Sequence, residues 1–111
     1  MFISEFSEAM IAEGPQDTVS FIGDTVMLRC RSSESQTLMK WGRGSSVTQT
    51  IASLSRGVYE GYQKLSLNTS TEGQFDLIIN STQPYDANTY SCIVDFEHAP
   101  AAELVLLGKF H

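Results

Sequence analysis

A single tryptophan, Trp41, lies 11 residues after Cys30, and Cys92 follows 62 residues after that first cysteine, at the end of the run Tyr85-Asp86-Ala87-Asn88-Thr89-Tyr90-Ser91-Cys92. The chain has no other cysteine and no other tryptophan, so all three residues carry unusual weight. Around each of them apolar and polar residues alternate with period two, as strands with one buried face do. Over Thr25–Arg31, Val26, Leu28 and Cys30 share the inward parity, and Met27 and Arg29 the outward one. Thr37–Arg43 puts Met39 and Trp41 inward and Leu38 and Lys40 outward. Thr89–Phe96 puts Tyr90, Cys92 and Val94 inward, with Ser91, Ile93 and Asp95 outward. Both thiols and the indole therefore face one interior.

The remaining segments keep the same period. Thr18–Phe21, Val47–Ile51 and Lys64–Asn68 read as strands, as does the stretch carrying Phe75, Leu77 and Ile79 inward. Ala102–Leu107 is the last strand, with Leu104 and Leu106 inward and Val105 outward. Gly23-Asp24, Gly44-Ser45-Ser46 and Thr69–Gly73 supply the turns. Residues 52–62 hold Gly57, Val58, Tyr59, Gly61 and Tyr62, enough for one irregular extra edge strand. At 111 residues this is one all-β domain without room for a second core.

The run ending at Cys92 resembles the D-x-G-x-Y-x-C run of the immunoglobulin superfamily, and the Cys–Trp–Cys spacing fits its V-set over residues 15–108. Residues 1–14 are then a tail or linker ending at Gly14-Pro15, and 109–111 a short tail. The resemblance implies a two-sheet sandwich with an inter-sheet disulfide between Cys30 and Cys92 and with Trp41 packed over it. Leu77 belongs to that core. Tyr90 takes the tyrosine-corner position, its phenol bonding upstream backbone. Asp86 is the family's acidic partner for a basic residue, here Lys64, where the family commonly has Arg. Asn88 stands where Gly is usual, and Asn tolerates positive φ better than other side chains.

Charge and motif exclude much else. The net charge of −6 repels phosphate backbones, so nucleic acid and anionic membranes are poor partners. No apolar run approaches the ~20 residues that cross a bilayer. The first fourteen residues lack a basic start and are interrupted by Glu5 and Glu8, unlike a signal peptide, although Phe2, Phe6 and Met10 at spacing four suit one helical turn. A secreted protein would carry its signal and anchor outside this chain. His98 beside Glu97 in a polar loop, with His111 terminal, makes no metal site, and with both cysteines committed to a bridge neither is a credible nucleophile. Gly42-Arg43-Gly44 lacks the helix and Lys-Ser/Thr of a phosphate loop. The reading is of a chain that is not an enzyme, with no cofactor, metal or small-molecule substrate.

What remains is recognition. Outward Leu38, Lys40, Ile93, Asp95 and Val105, with Tyr59 or Tyr62 near the rim, would form an apolar centre edged by charge on the sheet of Trp41. V-set domains commonly associate through that face. The last strand lacks the F-G-x-G bulge of antigen receptors, and the strand of Cys92 lacks the outward Arg of sialic-acid-binding relatives. The run from Gly73 to Leu107 is most similar to outermost domains of nectin- and nephrin-like adhesion receptors. The resemblance implies an extracellular module, on a cell surface or secreted, that binds another immunoglobulin domain or its own copy as a homodimer. An innate-immune domain with a foreign ligand and an intracellular structural module are the alternatives. Asn68-Thr69-Ser70 and Asn80-Ser81-Thr82 are glycosylation sequons.

Overall fold

A computed structural model describes residues 11–33 and 38–108. Its strands are β1 (Ile11–Glu13), β2 (Thr18–Phe21), β3 (Val26–Leu28), β4 (Arg31–Ser32), β5 (Met39–Arg43), β6 (Gln49–Ser53), β7 (Gly57–Val58), β8 (Leu65–Asn68), β9 (Asp76–Ile79), β10 (Thr89–Val94), β11 (Glu97–His98) and β12 (Ala102–Leu107). The larger sheet runs β2-β12-β10-β5-β6-β7, with β11 folded back on β10. The opposing layer is β3-β9-β8, extended by the pair β1-β4 through an Arg31–Gln74 bridge. Every pairing is antiparallel except β2 on β12. The extra edge expected in residues 52–62 is β7.

Ahead of Gly14-Pro15, Ile11–Glu13 pairs with β4 and Ile11 packs on the core. Phe2, Phe6 and Met10 lie outside the described residues. The strand expected over Thr25–Arg31 is interrupted. There the Cys30 N–H leaves the ladder and donates to the buried Asp76 carboxylate at 3.0 Å, while Cys30 C=O accepts from Phe75 N–H.

The interior follows the expected parity. Val26, Leu28, Met39, Trp41, Phe75, Leu77, Ile79, Tyr90, Val94 and Leu104 are all buried around the Cys30–Cys92 disulfide. Trp41 Nε1–H donates to Phe75 C=O at 2.8 Å, so the indole brings its polar edge inside with a partner. The Tyr90 phenol donates to Asp86 C=O at 2.7 Å, four residues upstream. Asn88 is not in the left-handed region; the non-glycine residues there are Ser81 and Asp95. Its side-chain oxygen instead accepts from Thr89 N–H.

The Asp86 carboxylate, 1% exposed, accepts from Lys64 Nζ at 2.5 Å and from Gln83 N–H at 2.7 Å. Burial alone would lower the Lys64 pKa. The hydrogen bonds and charge of Asp86 and the Tyr85 hydroxyl outweigh it and hold the ammonium above its ordinary value. Burial likewise pushes the Tyr90 phenol up, with Arg43 pulling partly back. These contacts hold the turn Pro84–Asp86 that leads into β10.

Candidate recognition surface

Two strands and a turn build the most exposed apolar feature among the described residues. β10 and β11 form a hairpin in register Val94↔Glu97, leaving Asp95-Phe96 as a two-residue turn. Asp95 has φ +55°, as such turns require at a central position. The turn is clamped to the start of β5. Asp95 N–H donates to Leu38 C=O at 2.6 Å, and Leu38 N–H donates back to the Asp95 carboxylate at 2.9 Å. With its backbone held this way, Phe96 projects with 96% of its surface exposed. Beside it stand Leu38, 72% exposed, and Leu54, 44% exposed.

These side chains border a hollow of about 340 Å3, floored by Met39 and Ser53 and walled by Lys40, Arg56 and Tyr59. The Arg56 guanidinium lies 4.8 Å from the Tyr59 ring centre, which stiffens that wall. Two cations and one bound carboxylate give the rim a positive balance on a molecule of net charge −6. Among the described residues no group of His, Cys, Asp and Glu is arranged to hold a metal. The arrangement offers an aromatic knob, an adjacent apolar hollow and a charged edge, the makings of a binding site for a protein surface.

The five residues expected to share one patch do not do so. Leu38, Lys40 and Asp95 meet at the hairpin end. Ile93 is only 6% exposed, which corrects its reading as an exposed anchor. It has outward parity but stands in the middle of the sheet, flanked on both sides by its register partners Lys40 and His98. Val105 belongs elsewhere: it pairs with Val19 at the far edge, and Glu103, two residues earlier, is already opposite Thr89. Val105 is thus roughly 20 Å from Ile93 along the sheet at ~3.3 Å per residue. It forms a separate exposed cluster with Val19, Phe21 and Leu107. Tyr59 reaches the rim as expected, whereas Tyr62 packs on the core and under the Arg43 guanidinium. Phe96, Leu54 and Arg56 were not legible as site residues. An Asp-Phe pair carries no glycine or asparagine to announce a tight turn.

Two facing sheets joined by a buried bridge under an indole define a β-sandwich of the immunoglobulin kind. Residues 16–103 match the family described as Immunoglobulin domain, and the chain belongs to it, with a V-set-like arrangement of strands. A sequence comparison with curated proteins finds no match. Among solved structures the chain is similar to Rst D1-D2, with 22% identity and TM-score 0.73, over 88% of this chain and 48% of that one. It therefore spans about half of that two-domain fragment. The first Ig domain of the mouse polymeric immunoglobulin receptor matches at 19% identity and TM-score 0.78, over 94% of this chain and 99% of that one. Ig1 of mouse SynCAM 2 matches at 18% and 0.71, over 86% and 95%. Domain I10 of titin shares the fold as well, at 15% and 0.68 over 87% and 96%, so the fold alone does not assign a compartment. The chain is an immunoglobulin domain whose fold is shared by domains of the polymeric immunoglobulin receptor, of SynCAM 2 and of titin.

Proposed function

We propose that this chain is an extracellular recognition module that binds another immunoglobulin domain, without chemistry, through the end formed by Phe96, Leu38 and Leu54. The observation that carries the reading is Phe96, 96% exposed on a clamped two-residue turn. An aromatic ring held rigidly in water gains most by entering a partner, because little conformational freedom remains to be lost. The buried disulfide supports an oxidising compartment outside the cell.

A second copy is the partner that the shape favours. A knob beside a hollow suits pairing with a second copy: in a two-fold arrangement each Phe96 would enter the other copy's hollow and each Lys40 would face the other Asp95. One ring per side makes a small interface, with dissociation expected around the micromolar range, about −8 kcal/mol. Sedimentation velocity over a concentration series tests this. The wild type should dimerise reversibly, and Phe96→Ser should be monomeric with an unchanged melting temperature. A wild type that stays monomeric at the highest concentration refutes the two-fold pairing. A dimer indifferent to Phe96→Ser moves the interface to another face.

A further inference from the structure

We propose that of the two sequons only Asn68 carries an N-linked glycan in the folded, secreted protein, because a sugar on Asn80 is incompatible with the hydrogen bonds its amide makes in the fold. The inference rests on the extracellular reading above. A side-chain amide has two N–H donors, and glycosylation replaces one of them. Asn80 uses both: its Nδ2 donates to Lys64 C=O at 2.7 Å and to Ser66 Oγ at 3.3 Å, tying the end of β9 to β8. A sugar on that nitrogen must remove at least one of these bonds and enter the space between the two strands. The rest of the sequon is equally engaged. Thr82 is buried, and its hydroxyl lies 2.9 Å from Asp24 C=O, 3.2 Å from Phe21 C=O and 3.1 Å from Gly23 N–H. Ser81, between them, sits at φ +49°.

Asn68 is the opposite case. It ends β8, and its Oδ1 accepts from Ser70 N–H at 3.2 Å. Its Nδ2 makes no hydrogen bond among the described residues, and Thr69, Ser70, Thr71 and Glu72 beyond it are all exposed. A glycan there leaves every described bond intact.

In the transfer, a bond forms between Asn68 Nδ2 and C1 of an N-acetylglucosamine. The C1–O bond to a lipid-linked diphosphate oligosaccharide breaks, the diphosphate leaves with the electron pair, and the amide proton passes to a base of the transferase. The test is expression of the chain behind a supplied signal peptide in glycosylating cells. The compartment is then imposed, so failure here is separable from failure of the extracellular reading. Cleavage before Asp76 separates the two asparagines, and enzymatic deglycosylation in heavy-oxygen water marks a formerly modified one as labelled aspartate. The label should fall on Asn68 alone, and Ser70→Ala should yield secreted protein without carbohydrate. Asn80→Gln should leave the attached mass unchanged; if that variant fails to fold, the Ser70→Ala protein, which keeps the Asn80 sequon intact, reads the same outcome by its intact mass. Label on Asn80 of the folded secreted protein, or none on Asn68, overturns the proposal.

Discussion

The pair Lys64–Asp86 should respond asymmetrically to losing either member. The carboxylate is 1% exposed and cannot rehydrate, whereas the Lys64 side chain is 27% exposed and has Ser81 C=O at 3.2 Å as a further acceptor. Lys64→Met keeps most of the aliphatic stem but strands a buried carboxylate with the Gln83 N–H as its remaining described donor. Removing one partner of a buried pair costs about 3–5 kcal/mol. Asp86→Asn keeps the shape, an oxygen for Gln83 N–H and an ammonium that can turn to water, so about 1–2 kcal/mol is expected. For a domain near this size each kcal/mol lowers the melting temperature by about 4–8 °C, so Lys64→Met should melt on the order of 15 °C or more below the wild type. Urea unfolding should show shifted midpoints with an unchanged slope. The double variant removes both charges and should cost less than the sum of the singles by ~1 kcal/mol or more. If Asp86→Asn proves as costly as Lys64→Met, or the double is additive, burial of the anion does not control this site.

Two further outcomes follow from the interior. Trp41→Ala should cost about 3–5 kcal/mol, since it opens a cavity against the disulfide and leaves Phe75 C=O without its donor; an unchanged urea midpoint would contradict this. Stability should also fall at alkaline pH. Lys64 and Tyr90 both have folded-state pKa values raised above their ordinary values near 10, so above that pH the unfolded chain binds fewer protons than the native one. Their contribution is complete below about pH 10 and lost as pH rises through the folded values; urea midpoints that stay flat from pH 8 to 11 would contradict the assignment.

Inward residues were legible because period two reports on one neighbour layer, and Val26, Leu28, Met39, Trp41, Leu77, Tyr90 and Val94 all lie where their parity puts them. The outward face was not, because its exposure depends on lateral neighbours and on where each strand ends. Ile93 obeys parity yet is buried between strands that flank it on both sides. The strand expected to run to Phe96 stops at Val94, since the Leu38 backbone captures Asp95 and forces the reversal. That long-range contact, absent from any local pattern, turns Phe96 from an edge residue into the most exposed aromatic side chain among the described residues. Val47 errs the other way: it was expected in a strand, but the strand begins at Gln49 and Val47 remains in the turn.

The parallel pairing of β2 with β12 has a consequence for how the chain closes on itself. Asp17 and Glu103, joined at 2.8 Å beside that ladder, are 86 residues apart along the backbone. The disulfide spans 62 of those, so with the bridge intact the shortest covalent path between them is about 24 residues. Loop-closure entropy grows with the logarithm of path length, which makes bringing these ends together easier by about 1 kcal/mol once the bridge is in place. The segments outside the ring, β1 to β3 on one side and β11 and β12 on the other, behave as two short arms hinged at one covalent joint. Reduction would lengthen the tether between them more than threefold, and the edge where they meet would be the part of the sandwich to open first.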